Sequence, residues 1–277
     1  MAAITLLPTT TTNRRQKTEW IKAVADEIRP VSEGSNYLTM VVYSRNGVGK
    51  TTFACSSGLR TLVIDCNEKG TQSVRKVPGV DKFVLGNFER LDWVYWYLRA
   101  GNHPYKVVVI DTVTMLAMMC MKFILKDDAD RDIGRDPMMP DKRHWGKLGE
   151  MIKDAIIKFR NLSEHPTNPV HVIFTAQEKT TYNEDEETGE MAVEIHPELS
   201  PSPRSTLLSA VAIIGRMYTR EVELDGGRKE QERRMLLGTH PKYVSKNRFS
   251  ELKRIERKPT LKSFIDRISE DNTDGNN

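Results

Sequence analysis

VVYSRNGVGKTTFA, residues 41–54, decides the fold. An apolar run ends in a glycine-bearing turn, and a helix-forming segment follows at once. The spacing is that of a phosphate-binding loop, G-x-x-x-x-G-K-[ST], with Ser44 in place of the first glycine. Such a loop works through its backbone. Successive N–H groups converge on an anion, and the positive end of the following helix adds to them. Gly47 and Gly49 take the inner positions, where a side chain would collide with phosphate. Lys50 brings charge to the outer phosphates, and Thr51 offers a hydroxyl to Mg²⁺. Ser44 stands at the outer edge, where a small residue is tolerated if its backbone angles are ordinary. The expected binding stretch is Ser44, Arg45, Asn46, Gly47, Val48, Gly49, Lys50, Thr51 and Thr52.

Working outward, YLTMVVYS, 37–44, reads as the buried strand that feeds the loop. TLVIDC, 61–66, DKFVLGNF, 81–88, YKVVVIDTVT, 105–114, and VHVIFTAQ, 170–177, read as further strands. The fourth is a continuous apolar run, as parallel sheets bury on both faces. Helical patterns fall at 51–58, 89–100, 115–126 and 145–163. Strands alternating with helices imply an α/β fold with a mostly parallel central sheet. A helix at 205–214 and antiparallel-type strands at 216–224 and 233–239 follow. The organisation expected is an N-terminal arm and helix over 1–35, a core over 36–250, and a basic extension over 251–277 with a disordered tail.

The second half of a phosphate site is a carboxylate at the end of a neighbouring strand. In VVVIDT, Asp111 follows four apolar residues and is placed to hold the Mg²⁺ shell with Thr51. Hydrolysis also needs a group that orients water. The second strand ends in IDCNEKG, which offers Glu68 as the base and Asp65 as its rival. The fifth ends in FTAQ, where Gln177 is positioned to hydrogen-bond a terminal phosphate and report its loss to the adjacent long segment.

Bulk composition excludes little. The chain has 277 residues, 38% hydrophobic and 29% charged, with a net charge of +4, as in a soluble globular protein of mildly basic balance. Three dispersed cysteines predict reduced thiols and a cytoplasmic location. The start of the chain has its apolar residues before its charges, which argues against a signal peptide. No apolar run approaches the ~18 residues of a membrane span.

The ordered set SRNGVGKTT, IDCNEKG, VVVIDTVT, VIFTAQ and HPKYVSKNRF resembles the RecA-like ATPases, over roughly 36–250. It is most similar to phage members of single-strand annealing or recombination type. The resemblance implies a RecA-like P-loop core, ATP and Mg²⁺ as cofactors, and an oligomer with ATP at the subunit interface. In KNRF, Lys246 and Arg248 match the basic motif that reaches a neighbouring subunit's nucleotide, so the resemblance implies a catalytic role for both in trans. It also implies single-stranded DNA as partner, held by the segments after strands four and five, 127–144 and 178–204. The first carries Arg131, Arg135, Lys142 and Arg143 with Met138 and Met139, against six aspartates. The second carries Lys179, Tyr182 and Arg204 and begins as a hairpin around an acidic turn. Residues 228–267, with thirteen Lys and Arg against five Asp and Glu, form a strip suited to DNA or to a subunit contact. Trp20, Trp93, Trp96 and Trp145 read as helix-packing anchors.

Two other functions use the same loop. One is a nucleotide-gated loader or mediator acting on a single-strand-binding or replication protein. The other is a small-molecule kinase, disfavoured because KNRF lies beyond the sheet core instead of in a lid.

Overall fold

The computed structural model describes residues 14–28, 36–131, 136, 138–184, 191–223 and 228–270. Met1–Ser35 and Asn36–Asn277 are separate compact units. In the first, α1 (Arg14–Glu27) carries Trp20, Ile21 and Val24 at helical spacing, all exposed. The rest of the expected arm and helix, residues 1–13 and 29–35, lies outside the described residues.

The second unit runs β1 (Thr39–Ser44), α2 (Lys50–Ala54), β2 (Thr61–Asp65), a 3₁₀ turn (Gly70–Val74), β3 (Val80–Val84), α3 (Arg90–Arg99), β4 (Val107–Asp111), α4 (Val113–Arg131) and α5 (Lys142–Arg160). It continues with β5 (His171–Glu184), β6 (Met191–Pro197), α6 (Pro201–Ala210), β7 (Ile213–Glu223), β8 (Lys229–Leu236), β9 (Lys246–Asn247), β10 (Ile255–Arg257) and α7 (Leu261–Glu270). The main sheet order is β10-β8-β7-β1-β5-β4-β2-β3. From β7 to β3 every pairing is parallel, and β8 and β10 add antiparallel strands at the other edge. The expected α/β architecture is the one observed.

Strand periodicity explains the two cores. In β1 all six residues are buried, and alternate ones face opposite sides. Val41 and Tyr43 join the face covered by α3, α4, α5 and α6. Met40 and Val42 join the face covered by α2 and α7. At the start of α5, Asp141 accepts from the His144 backbone N–H at 3.0 Å, while His144 Nδ1 accepts from the Asp141 N–H at 2.9 Å. These reciprocal bonds satisfy helix-start donors that would otherwise be orphaned.

Several boundaries differ from the sequence reading. β5 continues past residue 177 to Glu184 and forms with β6 the expected hairpin, whose turn, 185–190, lies outside the described residues. The helix expected at 205–214 is Pro201–Ala210, because Pro at its first turn starts it early and β7 already claims Ile213. Residues 251–270, expected as an extension, belong to the core unit: β10 pairs with β8, and Leu261 and Phe264 are fully buried. The tail beyond 270 lies outside the described residues. Trp93, Trp96 and Trp145, expected to pack, are exposed at 67%, 63% and 51%. No described helix is long and apolar enough to cross a membrane.

A buried histidine makes the fold acid-sensitive. His171 Nδ1 accepts the Leu38 N–H at 2.9 Å, and burial pushes its pKa down to about 4. Protonation therefore favours the unfolded chain, where histidine titrates near ~6.5. Stability contributed by neutral His171 is full above that value and is lost as pH falls toward 4. The loss is expected to reach about 3 kcal/mol. Denaturant melts at pH 7 and 4.5 check this; a His171→Asn chain with the same acid slope would contradict it.

Candidate active site

The loop leaves the C-terminal end of β1, the strand flanked by β5 and β7 at the sheet centre. Ser44 is the last residue of β1, fully buried, and pairs with Gln177. Its hydroxyl donates to the Arg45 carbonyl at 2.8 Å. Among the described non-glycine residues only Asn67, Lys69 and Lys258 have positive φ, so Ser44 needs none of glycine's freedom. Gly49 does need it, with φ of 109° just before α2. A Cβ built on Gly49 would also lie 3.0 Å from Arg233 Nε.

A cleft of about 620 Å³ opens over this loop, lined by Asn46, Gly47, Gly49, Lys50, Thr51 and Thr52 on one side and Glu68, Gly70, Asp111, Gln177 and Arg233 on the others. Lys50 is only 7% exposed. Its ammonium donates to the carbonyls of Ser44 at 3.3 Å and Arg45 at 3.4 Å, and to Gln177 Oε1 at 3.1 Å. Burial lowers its pKa, against the raising influence of Glu68 and Asp111. Gln177 passes the connection on: its Nε2 donates to both Glu68 oxygens at 3.0 Å. Thr112 Oγ1 donates to Glu68 Oε1 at 2.9 Å. Asn67 and Lys69, with φ of 69° and 55°, turn the chain on either side of Glu68. The rival acid Asp65 is buried and takes a bond from Thr71 at 3.1 Å, and it does not line the cleft.

Thr51 Oγ1 donates to Asp111 Oδ2 at 2.9 Å, and Thr175 Oγ1 donates to Asp111 Oδ1 at 2.5 Å. Burial pushes the Asp111 carboxyl above the ordinary carboxylate range, opposed by those two hydrogen bonds. Mg²⁺ is usually held by one or two protein oxygens, with phosphate oxygens and water completing its shell. Thr51 and Asp111 supply hard oxygens of that kind from two elements. Gly70 leaves the space in front of them: a Cβ there would lie 2.8 Å from Asp111 Oδ2 and 2.9 Å from Thr51 Oγ1. The residues fit the metal.

Lys246 and Arg248 are not brought to this cleft. Lys246 on β9 pairs with Ile214 of β7, which in turn pairs with Val41, three residues short of the loop. Its ammonium donates to the Leu208 carbonyl at 2.5 Å, and Arg248 is exposed. Thr112, Thr175, Gly70 and Arg233 are in the site without having been singled out in the sequence. The two threonines adjoin or closely precede named residues in IDT and FTAQ. Gly70 and Arg233 carry no sequence signal, since only folding brings them to the loop.

A family model described as an AAA domain matches residues 36–249. No curated protein shows significant similarity to the chain.

Proposed function

The chain belongs to the AAA-domain family of nucleotide-binding ATPases, and we propose that it is a RecA-like ATPase of DNA recombination that binds single-stranded DNA as an oligomer. In this reading Glu68 orients the attacking water. Lys50 and the loop amides hold the phosphates, and Thr51 and Asp111 hold Mg²⁺, which adds electrostatic stabilisation when bound. Gln177 responds to the terminal phosphate.

The observation that carries the DNA reading is the backbone of Gln177. Its N–H donates to Thr114 Oγ1 at 3.0 Å, and its carbonyl accepts from Glu198 N at 2.8 Å. Thr114 and Glu198 line a groove of about 820 Å³ with Met118, Lys122, Trp145, Lys179 and Arg204. Three cations beside a half-exposed indole suit single-stranded nucleic acid, whose phosphates take the charge and whose bases stack. Tyr182 on the β5–β6 hairpin is 66% exposed and extends that chemistry. Lys246 and Arg248 lie away from their own chain's cleft, so their expected role in catalysis requires a second copy.

One observation favours the loader or mediator reading. Cations around the first long segment are already paired: Arg131 with Asp127 at 3.0 Å, Arg143 with Asp128 at 3.2 Å, Lys147 with Asp127 at 3.1 Å. A surface balanced in this way suits a protein better than a polyanion. Arg135 lies outside the described residues.

Steady-state ATP hydrolysis with and without single-stranded DNA separates the two. The expected result is stimulation by DNA that fades as salt rises, with turnover per chain increasing with protein concentration. Hydrolysis indifferent to DNA at low salt overturns the recombination reading in favour of the loader.

A further inference from the structure

We propose that Arg233 is a nucleotide-binding residue supplied in cis, and that the cleft behind it receives the base and ribose. This rests on the nucleotide reading of the loop and extends it to the other end of the ligand. The groups that address the terminal phosphate, Glu68 and Gln177, lie on the β2 and β5 side of β1. Arg233 sits on β8, which lies on the opposite side of β1 beyond β7. A nucleotide whose phosphate tail ends at Glu68 therefore runs across the loop toward β7 and β8.

A second cleft of about 410 Å³ opens there, within the size range of small-ligand sites. Gly49, Thr52 and Arg233 line both clefts, so the two are neighbours across the loop. Phe53 and Met217, 2% and 1% exposed, contribute apolar lining, and Glu230, Gln231, Glu232 and Lys258 are among the polar residues at its edge. Apolar surface with polar edges suits a flat heterocycle. The Arg233 guanidinium lies against the Gly49 backbone. Its own backbone is held by the Lys258 N–H, which donates to the Arg233 carbonyl at 2.8 Å. Among the described residues no ion pair holds the guanidinium, which leaves its donors for a phosphate and its planar face for a base.

Calorimetric binding of Mg·ADP and of Mg·pyrophosphate tests this on the full chain. Pyrophosphate lacks base and ribose. Arg233→Ala is expected to weaken ADP by ~10- to 100-fold, the loss of a charge-assisted contact, and Arg233→Lys to restore part of it. Gln231→Trp fills the second cleft from an exposed strand position. It is expected to weaken ADP by at least ~10-fold and to leave pyrophosphate unchanged. ADP binding at the unaltered strength by either Arg233→Ala or Gln231→Trp overturns the proposal. Failure of the unaltered chain to bind ADP at all overturns the nucleotide reading first and this inference with it. Unchanged melting temperatures without ligand certify the folded variants, and Arg233→Gln replaces Arg233→Ala if the latter unfolds.

Discussion

Lys50→Ala is expected to abolish nucleotide binding and, with it, hydrolysis. The physical case rests on what surrounds the ammonium. It is nearly buried, held by two loop carbonyls and by Gln177, and faces a cleft that also contains Glu68 and Asp111. Positioning the cation there has a desolvation cost, seen in its lowered pKa. An arriving phosphate gains charge-assisted bonds to a donor already in place, each worth about 1.5–3 kcal/mol. Without the lysine, two carboxylates meet a polyanion uncompensated. A fall of at least ~100-fold in affinity is expected from losing a partner in a buried charged network. The lowered pKa adds a sign: affinity also declines on the alkaline side at lower pH than an ordinary lysine would give. Calorimetry with Mg·ADP, repeated across pH, reads both affinity effects, and phosphate release reads the loss of hydrolysis. Retention of near-normal affinity in a folded Lys50→Ala chain would remove the loop from the binding site.

Glu68→Gln separates binding from chemistry. Its carboxylate is oriented by Thr112 and by both bonds from Gln177 Nε2, and it lines the same cleft as Lys50. Those bonds hold the oxygens in one orientation, which a water-positioning group needs. Replacement by the amide keeps the shape and an acceptor for Thr112 but removes the base. Turnover is expected to fall by about 10²- to 10⁴-fold. ADP affinity is expected to hold or rise, since one negative charge leaves the cleft. Asp65→Asn serves as the comparison, because Asp65 is turned to Thr71 and does not line the cleft. If Asp65→Asn stops turnover while Glu68→Gln does not, the assignment of the base is wrong.

Most of the candidate phosphate site was legible because its residues are local. Gly49 caps α2 and Lys50 and Thr51 are its first residues, directly after the turn that leaves β1, and their order alone prescribes the backbone geometry. Asp111 was readable as a strand end; Gln177, expected to end its strand, lies within the longer β5 but still pairs with Ser44 at the end of β1, because parallel pairing puts it in register there. Glu68 and Asp65 stayed rivals for a simple reason. Asp65 closes β2 and Glu68 stands three residues on, where the chain direction depends on the left-handed residues Asn67 and Lys69, which no pattern announces. The tryptophans failed differently. Helical spacing identified faces on α3 and α5 but not which face meets the sheet, and Trp93, Trp96 and Trp145 are on the open side.

By itself, then, the sequence determined the α/β fold, the loop and the acid opposite it. Periodicity and short motifs act over a few residues, and strands joined through crossover helices pair in parallel. Only the tertiary structure decided which acid faces the cleft, that Gly70 leaves room before Thr51 and Asp111, and that Arg233 lies against Gly49. Those contacts join residues up to 184 positions apart along the chain. They depend on sheet order and on the turns between strands, which are properties of the packed whole.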